Sequence, residues 1–148
     1  MKKSTLLIFL LAIGTAVFAQ NYNFTNGGGN NKWNNPANWD QNAVPSTTDH
    51  LAFIGTIDNT AHTVEVDVDD AFAGYLELKS GSTLVVANGK QLTISYPPDI
   101  PNGINVQIFI GSTLTIAQGG TFLYDGKILL VGDLIVNGTV DLVPQPMK

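Results

Sequence analysis

Few side chains in this chain are of the types that do chemistry, and their spacing narrows the choice further. Trp33 and Trp39 bracket the stretch Trp33-Asn34-Asn35-Pro36-Ala37-Asn38-Trp39. Aromatic faces with amide neighbours such as Asn34 and Asn38 grip sugar rings by stacking and directed hydrogen bonds. The competing role for two indoles is to plug the open end of a repetitive core, and that is the primary reading here. Glu65, Asp67 and Asp69 alternate with valines, and Asp70 follows. Oxygen donors at Asp67, Asp69 and Asp70 would suit calcium. Carboxylates two apart on a strand stand ~6.5–7 Å from each other, so one cation would need help from another segment. A solvated strand face is the ordinary reading of that run.

Asp125, Asp133 and Asp141 recur at a constant spacing and suggest the paired carboxylates of a hydrolase. That spacing is one side of a coil, so consecutive members fall on different faces. Glycosidase carboxyls must lie within ~5–9.5 Å of each other. His50 and His62 have no third ligand at a matching spacing. Arginine is absent, and Lys79, Lys90 and Lys127 sit in turn-like positions without a carboxylate cluster. Thr83, Thr93, Thr113, Thr115 and Thr121 do not fall into ranks repeating coil by coil. The expectation is a chain without catalytic residues.

Composition narrows the partners. Seven lysines face twelve acidic residues, a formal charge of −5. No basic stripe exists for nucleic acid or anionic lipid, so neither partner is expected. With no cysteine, disulfides, thiol chemistry and thiolate zinc sites are excluded. The chain opens Met1-Lys2-Lys3, continues with the apolar run Leu6–Ile13, and reaches Val17-Phe18-Ala19 before Gln20. A basic start, a short apolar run and small residues at the −3 and −1 positions spell a secretory signal peptide over 1–19. The run is too short to span a bilayer comfortably, and no second one follows, so a transmembrane protein is not expected.

What must position these residues is a repeat. Gly81-Ser82-Thr83-Leu84-Val85-Val86-Ala87-Asn88-Gly89 returns as Gly111-Ser112-Thr113-Leu114-Thr115-Ile116-Ala117-Gln118-Gly119, and more loosely as Gly132–Gly138. Apolar–x–apolar triplets recur from Leu76-x-Leu78 to Val140-x-Leu142, most of them six to eight residues apart. Residues two apart on a strand share a face, so each triplet turns two apolar groups inward. Strands this short cannot bury their own apolar side, and stacking copies of them solves the problem. The expected fold is all-β: a right-handed parallel β-helix of three sides and about four short coils over 51–143. A β-sandwich is the alternative, but it normally uses longer strands. Residues 20–50, rich in Asn and Gly, are expected to form an irregular N-terminal cap. Tyr96–Gly103 reads as an excursion from the coil and 144–148 as a tail.

The arrangement Trp33-x5-Trp39, Pro45, Asp49, Phe53-Ile54, Val66-Asp67 and Leu76-x-Leu78-x2-Gly81-x2-Leu84 resembles the start of the eight-glycine domain of extracellular proteins. It is also similar to modules of large secreted bacterial adhesins. The resemblance spans roughly 31–140. It implies a β-rich or β-helical module outside the cell, linked with adhesion or carbohydrate contact, with polysaccharide or another surface protein as partner.

Together these readings lead to a secreted or cell-surface, non-catalytic β-solenoid module for adhesion, matrix structure or glycan contact. The alternative is the non-catalytic N-terminal portion of a carbohydrate-active β-helix enzyme. Beyond Val143 only Pro144–Lys148 remain to cover the last coil. Either self-association through the C-terminal coil or fraying of that end is therefore expected.

Overall fold

Strand formation follows the triplets except at Ile108-x-Ile110, where the strand ends at Ile108, the inward pair is Val106 and Ile108, and Ile110 is exposed. The structure, a computed structural model, describes residues 19–95 and 101–143. All but the last residue of the expected signal peptide 1–19, the tail 144–148 and residues 96–100 of the expected excursion lie outside the described residues.

Thirteen strands are described: β1 (Gln20–Phe24), β2 (His50–Ile54), β3 (Thr63–Val66), β4 (Ala71–Ala73), β5 (Tyr75–Leu78), β6 (Thr83–Val86), β7 (Gln91–Ile94), β8 (Ile104–Ile108), β9 (Thr113–Ile116), β10 (Thr121–Tyr124), β11 (Lys127–Leu130), β12 (Asp133–Val136) and β13 (Thr139–Leu142). They form three all-parallel sheets. Sheet A runs β1-β2-β5-β8-β11, sheet B β3-β6-β9-β12 and sheet C β4-β7-β10-β13. Each consecutive trio from β2 onward visits A, B and C once, so the chain winds through four coils of a parallel β-helix. β1 adds a partial coil before the first, inside the segment expected to be an irregular cap.

The sequence repeat is the register of the stack. Thr83 pairs with Thr113, Leu84 with Leu114, Val85 with Thr115 and Val86 with Ile116, and the third copy continues as Leu134 on Leu114 and Val136 on Ile116. Equivalent corners repeat too: the Ser82 N–H donates to the Lys79 carbonyl, and one coil on the Ser112 N–H donates to that of Phe109. Gly81 and Gly111 turn that corner at φ +75° and +77°, a backbone region that costs glycine least. Thr63, Thr83 and Thr113 also pair in register on the outside of sheet B. One rank of threonines does therefore exist, contrary to the reading from spacing, because Thr63 precedes a triplet that the repeat did not include.

The core is the column inside the three sheets. Leu84, Val86, Leu114 and Ile116 from sheet B lie fully buried beside Leu76, Leu78, Val106 and Ile108 from sheet A and Leu92, Ile94 and Phe122 from sheet C. The side chains between them, Val85 and Thr115 among these, face outward and are only partly covered.

Leu114→Ala should therefore lower stability by about 2–5 kcal/mol through lost burial and a cavity, whereas Thr115→Ala should change it by less than about 1 kcal/mol. Chemical denaturation of the two variants compares them directly, and equal losses would reverse the assignment of faces.

Candidate functional site: a polar and aromatic cleft beside the cap

The Trp motif closes the first coil from within. Trp33 and Trp39 are 0% and 1% exposed. Their rings meet edge to face at 4.9 Å, Phe24 meets Trp39 at 5.3 Å, and the Trp39 indole N–H donates to the Trp33 carbonyl at 2.8 Å. The first coil lines the same core with the small side chains Ala52, Ala71 and Ala73, leaving volume for the indoles. Backbone pairing completes the closure. β1 lies in register on β2, while the Trp33 N–H donates to the Glu65 carbonyl and the Glu65 N–H to that of Asn31 on sheet B.

A sugar platform at Trp33 and Trp39 is corrected by this burial, since neither indole offers an open face. Asn38 is also buried: its Oδ1 accepts from the Gly28 N–H, and its Nδ2 donates to Asn30 Oδ1 and the Lys32 carbonyl. Only Asn34 is exposed, and its backbone N–H donates to Asp67 Oδ1 at 3.1 Å. The asparagines instead wire the cap, with Asn26, Asn31 and Asn42 in the left-handed region that asparagine tolerates.

The acidic run is dispersed. Asp67 accepts from Asn34, Asp69 pairs with Lys90 at 2.7 Å, and Glu65 pairs with Lys32 at 2.7 Å. Asp70 lines a different feature, a cavity of about 180 Å³ shared with Trp33, Ser46 and Val68. Among the described residues no group of three or more His, Asp or Glu side chains converges in metal-binding geometry. Asp125, Asp133 and Asp141 lie apart, at the corner from sheet C to sheet A, in sheet B and in sheet C respectively. Asp125 accepts from Ser95 Oγ and from Asn105 Nδ2, which fixes that corner where Asn105 bulges out of the register between β8 and β11.

A cleft of about 420 Å³ opens on the outer face of sheet A, lined by Asn21, Asn23, Phe53, Thr56 and Ile57. β1 and β2 position it: Asn23 pairs with Phe53, and both point away from the core. Phe53 is half-buried and packs on the Tyr75 ring at 5.5 Å. Behind it lies Glu77, a buried carboxylate. It accepts from the Tyr75 hydroxyl at 3.0 Å and the Thr56 hydroxyl at 2.8 Å, and it pairs with Lys79 at 2.9 Å. Three partners offset the desolvation of that charge. Burial first, and then the Glu77 charge, pushes the Tyr75 phenol well above its ordinary value of 10.0. Asn23 is held from below by Asp40, which accepts from its N–H at 2.9 Å and its Nδ2 at 2.7 Å. The arrangement offers an aromatic ring, one amide of fixed orientation at Asn23 and a hydroxyl oxygen, that of Thr56, whose proton is already committed to Glu77. Sequence reasoning missed this cleft. The alternation Tyr75-x-Glu77 signals an outward pair, but only the β1–β2–β5 register brings Asn23 and Phe53 alongside it.

Comparisons with protein-family models, curated proteins and solved structures found no match.

The histidines serve the cap. His62 pairs with Asp58 at 2.8 Å and meets Phe24 edge to face. His50 stacks against Tyr22 at 4.4 Å, accepts the Ser46 N–H on Nδ1 at 3.0 Å and meets the Tyr22 hydroxyl at Nε2.

Two outcomes follow for the cap. Trp39→Ala should cost about 3–5 kcal/mol and depress Tm markedly, and an unchanged Tm would remove the plug. Burial lowers the His50 pKa below its ordinary 6.5, with Asp49 opposing the shift. The unfolded chain thus binds more protons below about pH 6.5, so this contribution is complete above that pH and is lost as pH falls towards the folded value. Melting curves across pH 5–8 should show the loss on the acid side, reduced in His50→Gln; an identical slope in both proteins would remove His50 as its source.

Proposed function

We propose that this chain is an exported, non-catalytic β-helix module of a secreted or cell-surface protein, holding neutral carbohydrate on the outer face of sheet A in the service of adhesion or matrix structure. The observation that carries the reading is the cleft at Phe53: an aromatic ring flanked by amides, one of them held in place, is the usual chemistry of sugar contact. Asn23 needs little ordering on binding because Asp40 already fixes it, which reduces the entropic cost of association. The acidic balance of the chain disfavours an anionic polysaccharide and favours an uncharged one. The cleft is shallow and small, so single contacts are weak, and a module that works by adhesion gains from many of them acting together.

Support for the address comes from the opening Lys2-Lys3, the apolar run and Ala19, and from the likeness of the Trp33–Leu84 pattern to eight-glycine modules. Calcium has no part in this reading.

Binding of residues 20–148 to an array of neutral glycans tests it. Phe53→Ala should lower Tm only modestly, through the lost contact with Tyr75, leave the circular dichroism spectrum unchanged and weaken binding at least tenfold. Loss of binding in a folded Trp39 variant, with Phe53→Ala binding normally, would place the contact at the cap instead. Absence of binding to every neutral glycan would overturn the proposal.

A further inference from the structure

The two ends of the solenoid are finished differently. At the N-terminal end the last inward positions are filled by Phe24, Trp33 and Trp39, and β1 and the Lys32–Glu65 bridge lie over two of the three sheet edges. At the C-terminal end the last inward residue of each strand is open: Leu130 in sheet A is 49% exposed, Val136 in sheet B 47% and Leu142 in sheet C 59%. One coil earlier the equivalent positions in sheets A and B, Ile108 and Ile116, are 1% and 0% exposed. Leu129, Val131 and Ile135 are exposed at the same end, so six of the eight large exposed apolar side chains in the described residues belong to the last coil. β11, β12 and β13 are the terminal strands of their sheets, each with one edge unpaired within the described residues.

We infer that this end binds a second copy of the chain, end to end, to give a closed dimer. The shape of the surface selects the occupant. Three strand edges surround three apolar side chains, and the surface that answers them all at once is another coil end with the same spacing. Head-to-tail stacking would require an open N-terminal end, which the cap occupies. That leaves the two C-terminal ends facing each other across a two-fold axis normal to the solenoid, an isologous contact that closes at two copies and cannot grow into a filament. Strands then run antiparallel across the junction, one sheet meeting its own copy while the other two exchange partners. The contact covers Leu130, Val136 and Leu142 and gives the free N–H and C=O groups of three edges partners, which answers the edge-strand liability. The contact is a single coil in cross-section, so dissociation belongs in the micromolar range or weaker.

All described strands but none of the export segment lie in residues 20–148, the chain to be tested. Sedimentation between about 1 and 200 µM should show a monomer passing to a dimer and stopping there. Val136→Lys should remain monomeric throughout with an unchanged circular dichroism spectrum, because it sets two ammonium groups into the junction. Should that variant fail to fold, hydrogen exchange of the unaltered chain decides. Amides of 133–142 should gain protection as concentration rises while those of 84–94 stay constant. A monomer over the whole range would overturn the inference, and so would association that continues past two copies. A monomer whose 133–142 amides are protected until residues 144–148 are removed would show that the tail covers the end, and would equally overturn it.

Discussion

A strand of three or four residues has no independent existence, and everything here depends on how that is remedied. Each strand makes its ladder bonds with the coils before and after it, and turns two apolar side chains into a column shared with two other sheets. Stability is accordingly a sum over neighbouring coils, and the ends, which have a neighbour on one side only, become the places where the sequence must do something special. The cap is that special provision at the N-terminal side. It fills the column with aromatic volume and supplies backbone partners to the first coil through β1 and through Asn31–Trp33.

The same constraint explains how much could be read in advance. The repeat at Gly81 and Gly111 is spatial register written directly into sequence, because stacked positions meet the same neighbours and so accept the same residues. Leu84 on Leu114 and Val86 on Ile116 were therefore legible, as was the winding into about four coils. The aromatic plug was legible for a different reason: two indoles in a turn-rich segment have nowhere else to hide. What escaped was everything that depends on an unrepeated register. Phe53 meets Asn23 and Glu77 only because β1, β2 and β5 align, and no likeness between those three segments announces it. The Asn-rich composition pointed towards sugar-reading amides, whereas Asn38 and its neighbours spend their hydrogen bonds on the cap itself.

Electrostatics plays a local part. Two lysines on the outer faces pair across coils, Lys90 with Asp69 and Lys32 with Glu65. Exposed pairs of this kind contribute little each. Glu77 differs because it is buried, and its three partners come from β5, from the residue that follows it and from the turn after β2. It joins two successive coils on their outer side, behind the ring of Phe53, where the backbone ladder alone would leave the face free to flex.

The second coil is longer than its neighbours, and the stack takes no notice. Leu76 pairs with Val106 and Leu92 with Phe122, whereas on either side Thr63 pairs with Thr83 and Leu114 with Leu134. The additional residues fall in the sequence between Ser95 and β8, next to the corner tied by Asp125 and Asn105. Lengthening a loop raises its closure entropy only logarithmically, so about ten more residues cost on the order of 1 kcal/mol or less. Pitch is thus set by hydrogen bonds and chain length by nothing at all at this corner. Insertions and deletions there are nearly neutral to the architecture, and they blur the very periodicity by which such a solenoid would be detected among other sequences.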